Sequence, residues 1–171
     1  MLKMLGGILV TAGSAAIGFY SVAGLYSHIK ILTRIISALR YMKSEISFTL
    51  APIPDLTQRL AERETGATGV FFGRCNSELS NLGEKTFGEI WSECADAILK
   101  NALKEDEIQT FKDLGELLGR YDSQEQALEI ERAAERFDFY LQRAEQDKIR
   151  LGKLYGAMGV LCGIAVVIIL I

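Results

Sequence analysis

A chain of 171 residues with 19 basic and 22 acidic side chains, a formal net charge of −3 and 49% hydrophobic residues fits one ordinary domain plus membrane segments. That balance argues against the basic, aromatic-lined surface that nucleic-acid binding requires. Cys75, Cys94 and Cys162 have no metal-ligand spacing, and an odd number argues against a disulfide framework.

Charge is sharply partitioned: every Asp, Glu, Lys and Arg except Lys3 falls within 28–153. Residues 4–27, MLGGILVTAGSAAIGFYSVAGLYS, are uncharged and long enough to span a bilayer, although rich in Gly, Ala and Ser. Ser14 and Gly18, like Ala12 and Ala16, are four apart, a small-residue face for close helix packing. A cleaved signal peptide competes for this segment, with Lys3 ahead of a short apolar core. Against cleavage, hydrophobicity continues to Tyr26, and Lys30, Arg34, Arg40 and Lys43 follow densely. Those basic residues resist export and hold the following body inside the cell.

A first body helix continues this span through 28–50, with Ile29, Leu32, Ile36, Leu39, Met42 and Ile46 forming its apolar stripe. Pro52 and Pro54 end it. A short second helix runs to Arg63, and Gly66 and Gly69 break the chain again. The third helix, 70–82, is expected to turn Val70, Phe71, Cys75, Leu79 and Leu82 inward, and Gly83 stops it. The fourth, 87–99, offers Phe87, Ile90, Trp91, Cys94, Ala97 and Ile98. The fifth opens on Glu105, Asp106 and Glu107, favourable charge for a helix N-terminus, and buries Ile108, Phe111, Leu114 and Leu118.

Gly119 suits the left-handed position that ends a helix. Asp122 with Glu125 reads as an Asp form of the capping box that starts the sixth helix. Ala127, Ile130, Ala134, Phe137, Leu141 and Ala144 then alternate three and four apart, a seam like that of a coiled coil. This helix is expected to run unbroken into the last uncharged stretch, 154–171, LYGAMGVLCGIAVVIILI. As a helix that stretch reaches about 27 Å, close to the bilayer's hydrocarbon thickness. Lys148, Arg150 and Lys153 mark its cytoplasmic edge, and Gly152/Gly156 and Gly159/Gly163 repeat the small-residue spacing. The predicted architecture is all-α: a six-helix cytoplasmic bundle, 28–151, flanked by transmembrane helices at 4–27 and 152–171, with both termini outside.

Catalytic equipment is sparse. The one histidine, His28, lies at the expected membrane edge, which removes His-based metal clusters, Glu-x-x-His di-iron sites and Ser-His-Asp catalysis together. No GxxxxGK[ST] loop is present. The sequence therefore points to a non-enzymatic, cofactor-free chain that works by contact. Candidate contact residues are Arg120 and Tyr121, in the loop between the fifth and sixth helices, with Gly119, Asp122 and Gln126 around them. Glu105, Asp106 and Glu107 are placed beside that loop as an acidic docking face or a divalent-ion site; a solvated helix start is the competing reading.

Leu118-Gly119, Asp122 and Gln126, Glu45-Ile46 followed by Pro52-Ile53-Pro54, and the tail Lys153-Leu154-Tyr155-Gly156…Gly159-Val160-Leu161…Gly163 together resemble the stage III sporulation protein AB family. The resemblance covers essentially the whole chain; the order and spacing of these residues carry it. One departure is Gly156–Met158, where bulkier residues are expected. The resemblance implies a place in the complex built between mother cell and forespore during endospore formation, on the mother-cell side. It also implies a soluble part similar to the cytoplasmic domain of type II secretion platform proteins, which couple a cytoplasmic ATPase to a membrane assembly. The implied partners are the sporulation ATPase AA and the other membrane proteins of that complex. A membrane adaptor that binds a substrate protein without any ATPase is the alternative.

Overall fold

A computed structural model describes the backbone of residues 2–81, 83–118 and 123–170, and side chains over 24–80, 83–118 and 123–152. The elements are α1 (Leu2–Thr49), α2 (Ile53–Arg63), α3 (Ala67–Glu78) with a 3-10 turn at Leu79–Asn81, α4 (Phe87–Ile98), α5 (Glu105–Leu118) and α6 (Ser123–Leu170). The six expected helices are present, and no strand occurs among the described residues. The chain divides into two units: Lys30–Leu141, and Met1–Ile29 with Gln142–Ile171. In the second, Lys148 Nζ lies 3.9 Å over the centre of the Tyr26 ring. Nearly all side chains of the expected spans 4–27 and 152–171 lie outside the described residues. Among those described, no helix is long and apolar enough to cross a membrane.

The helix limits follow local chemistry. α1 ends ahead of Pro52, which adopts an extended backbone at the start of α2, with Pro54 in that helix's first turn, where a missing N–H is harmless. Gly66, at φ 69°, makes the reversal into α3. Gly69 falls inside α3 rather than breaking it. A Cβ there would sit 2.9 Å from the Glu64 carbonyl carbon, so this glycine serves close approach. Thr86 and Glu89 form a complete capping box at α4. Hydrogen bonds from the Thr86 N–H and hydroxyl hold the Glu89 carboxyl below the usual carboxylate range. A folded-state value below the unfolded one stabilises above the unfolded pKa of about 4.3 and is lost on acidification. The melting-temperature gap between wild type and Glu89→Ala should therefore be widest near neutral pH and close as pH falls through Glu89's depressed pKa.

In the Lys30–Leu141 body, α2 packs on α3, α3 on α4 and α4 on α5. Trp91 sits at the centre, buried, its ring 4.8 Å from Phe71 and 4.9 Å from Phe111. Its indole N–H donates to the Phe111 carbonyl at 2.8 Å. Phe72 and Phe87 flank Trp91, and Phe137 brings α6 onto Phe111. Such a group of edge-on and tilted rings contributes beyond its buried area. Cys75 and Cys94 are also buried. The hydrogen bond with Cys94, helped by burial, pushes the Cys75 thiol up, so it stays protonated and packs as a small apolar side chain.

The expected core faces need adjusting: Ile29, Leu79 and Leu141 are only half-buried, and Leu82 lies outside the described residues. α1 buries Ile31, Ile35 and Ala38 besides Leu32, Ile36, Leu39, Met42 and Ile46, because α2 lies along one side of it and α6 along another. Val70 is 60% exposed and Phe72 takes the inward position. On α4, Ala95 and Leu99 are buried where Ala97 and Ile98 were expected; Ala97 faces solvent. The α5 expectation, Ile108, Phe111, Leu114 and Leu118, is met in full.

Candidate docking surfaces

The expected acidic docking face is not one surface. Glu105 and Asp106 are exposed, but Glu107 is 2% exposed, and its carboxylate accepts the Lys104 N–H at 2.8 Å. Glu107 thus occupies the capping-box position of α5, and a buried carboxylate turned to its own backbone is unsuited to meet a partner. Asp106 follows its neighbour's helix: its carbonyl accepts the Thr110 hydroxyl at 2.9 Å, and Thr110 shares a 3.0 Å hydrogen bond with Tyr140 of α6.

Nor are these acids beside the turn between α5 and α6. They start α5, whereas Leu118 ends it, and a helix of that length separates its ends by about 20 Å. At the far end, the Gln126 amide donates to the Leu118 carbonyl at 2.8 Å, satisfying one of the carbonyls that a helix end leaves open. Gln126 therefore ties α6 back to α5. Gln126→Ala should lower stability by about 1 kcal/mol, read as a shift in the thermal midpoint. Gly119, Arg120, Tyr121 and Asp122 lie outside the described residues. So do the surroundings of Ser14, Gly18, Gly156, Gly159 and Gly163. Gly152 is described: among the described residues, a Cβ added there meets nothing within 4 Å.

α1 and α6 are antiparallel neighbours in the body. Arg40 pairs with Asp138 at 2.6 Å, and Lys43 pairs with Glu131. α1 and α2 are joined by Arg59 on Glu45 at 2.7 Å and by the Arg63 guanidinium, 4.4 Å over the Tyr41 ring. A hydrogen bond with Tyr41, with the Glu45 charge behind it, raises the Arg59 pKa further. Between α1, Arg63 and α6 lies an open trough of about 520 Å³, where Arg40, Arg63 and Asp138 and the hydroxyls of Thr33, Ser37, Tyr41 and Ser44 stand over an apolar floor of Ile36 and Leu141. Its residues come from three separate stretches of sequence, so no motif announces it. Two half-exposed guanidiniums and several hydroxyls suit a hydrogen-bonding surface chain from another molecule. Among the described residues, no three His, Cys, Asp or Glu side chains gather as a metal ion would require.

The family model described as "Stage III sporulation protein AB" matches residues 3–171. A solved structure described as "Stage III sporulation protein AB (SpoIIIAB)" is similar at a TM-score of 0.65 and 21% identity, over 72% of this chain and 98% of that one. That likeness speaks for the fold alone. No curated protein matches.

Proposed function

The chain belongs to the stage III sporulation protein AB family, and on that premise we propose that it is a non-enzymatic platform of the mother cell–forespore channel complex, joining a cytoplasmic secretion-type ATPase to the membrane assembly. The observation that carries this reading is the build of α1 and α6. Each is a single 48-residue helix, about 72 Å long, that contains both an uncharged terminal stretch and an amphipathic stretch belonging to the body. In this reading the uncharged stretches, 4–27 and 154–171, sit in the membrane of the mother cell. The basic residues that flank them, Lys30, Arg34, Lys148 and Arg150, stay on the cytoplasmic side. A load applied to the body then reaches the membrane through two unbroken helices. The trough beside Arg40 and Arg63 and the far end of the body are the surfaces open to partners.

The test is copurification. The full-length chain, tagged and extracted from sporulating cells, is expected to bring down the sporulation ATPase AA together with membrane proteins of the complex. A substrate protein recovered in stoichiometric amount without the ATPase would contradict the platform reading and favour an adaptor.

A further inference from the structure

Where α1 stops, the body carries a feature that its own packing does not use. Leu50 has φ 49°, the left-handed region that an L side chain occupies at a steric cost and that glycine normally fills after a helix. The strain secures no burial, for the Leu50 side chain is 68% exposed and Phe48, two residues earlier, is 86% exposed. The run around them, 46–54 or ISFTLAPIP, holds no charged residue. The ion pairs Lys43–Glu131 and Arg40–Asp138 set the antiparallel register so that Leu128 of α6, itself 50% exposed, comes level with Phe48. A strained backbone that holds a large apolar side chain in water finds its use outside the chain.

The charge at this end selects the occupant. The stretches that lead into this end, 44–55 and 115–131, carry Glu45, Asp55, Glu116, Asp122, Glu125, Glu129 and Glu131 against one basic residue, Arg120. Lys43, Arg59 and Arg132 reach in from outside them and pair with Glu131, Glu45 and Glu129. Acidic groups remain in excess around an apolar centre. Two copies meeting at this end would oppose like charges, and an anionic bilayer would be repelled.

We infer that the corner 48–52 is a docking hook for a protein whose surface offers an apolar cleft rimmed by basic groups. Within the platform reading, on which this rests, that protein is the cytoplasmic ATPase. Phe48 and Leu50 enter the cleft, and the carboxylates around them set orientation and rate of encounter.

The experiment measures capture of the purified ATPase by the full-length chain in detergent, for wild type, Phe48→Asp/Leu50→Asp and Leu50→Gly. Both side chains are exposed, so the double variant is expected to keep the wild-type thermal midpoint and to bind at least about tenfold more weakly. Leu50→Gly relieves the backbone; it should raise the thermal midpoint while weakening capture. Added salt should weaken capture by the wild type. Capture by the double variant equal to wild type overturns the hook while leaving the platform reading in place. A wild-type chain that captures no ATPase overturns the platform reading, and the hook with it. Self-association or vesicle binding abolished by Phe48→Asp would also overturn the hook, in favour of a second copy or lipid.

Discussion

Alanine at Gly115 is expected to destabilise the body by about 3 kcal/mol, even though alanine is favoured over glycine in a helix interior by about 1 kcal/mol. The reason is the crossing of α4 and α5. A Cβ at Gly115 would overlap the Trp91 ring carbons Cδ1 and Cγ and lie 2.7 Å from Trp91 Cβ. Trp91 is held against movement, being fully buried and hydrogen-bonded to Phe111. One turn from the same crossing, a Cβ at Gly88 would meet the Glu116 Cα at 2.9 Å, so the two backbones approach closely from both sides. Relief requires the helices to separate, which loosens the whole aromatic cluster. Gly73→Ala is the internal control, because a Cβ there reaches only the Ala61 methyl at 3.8 Å. That change should stabilise by about 1 kcal/mol. The chain has a single tryptophan, so fluorescence-detected unfolding of the full-length protein in detergent reports on the body alone.

Trp91→Ala should cost more, about 4 kcal/mol. The substitution empties the centre of the ring cluster formed with Phe71, Phe72, Phe87 and Phe111. It also leaves the buried Phe111 carbonyl without the indole donor, a desolvation cost added to the cavity. Trp91→Phe separates the two contributions, since it restores most of the volume and none of the hydrogen bond. The expected order of thermal midpoints by circular dichroism is wild type, Trp91→Phe, Trp91→Ala. Equal midpoints for the two variants would mean that the hydrogen bond, rather than the ring, carries the effect.

Chain punctuation was the most legible part of the fold. Pro52 and Gly66 stand beside element ends and Pro54 opens α2, whereas α3 runs Ala67–Glu78 and gives way to a 3-10 turn before Gly83 is reached; the α5 core face is as its spacing implies. Face assignment failed where apolar residues run consecutively. Val70, Phe71 and Phe72 admit two helical faces, and only the packing of α3 against α2 and α4 selects Phe72 over Val70. Gly69 looked like a breaker because sequence does not distinguish a turn glycine from one that admits a carbonyl. Glu107 looked like part of a solvated acidic run. It stands three residues after Lys104, which has no capping acceptor, so the half box its carboxylate makes has no sequence signature. Separating Glu105 from Gly119 needed only the length of α5. The exposed pair Phe48 and Leu50 is not legible as a surface because the positive φ of Leu50 has no sequence signature; the uncharged run 46–54 is the one hint the sequence carries.

The central claim, a helical body anchored by its ends on the nucleotide-containing side of the membrane, meets its most direct test in thiol labelling. Cys75 and Cys94 are buried and therefore silent, whereas Ala97 is exposed. The full-length Cys162→Ser/Ala97→Cys variant, expressed in sporulating cells, is treated with a membrane-impermeant maleimide before and after the mother-cell membrane is opened. The account predicts labelling at position 97 only after opening; labelling in intact protoplasts would contradict it.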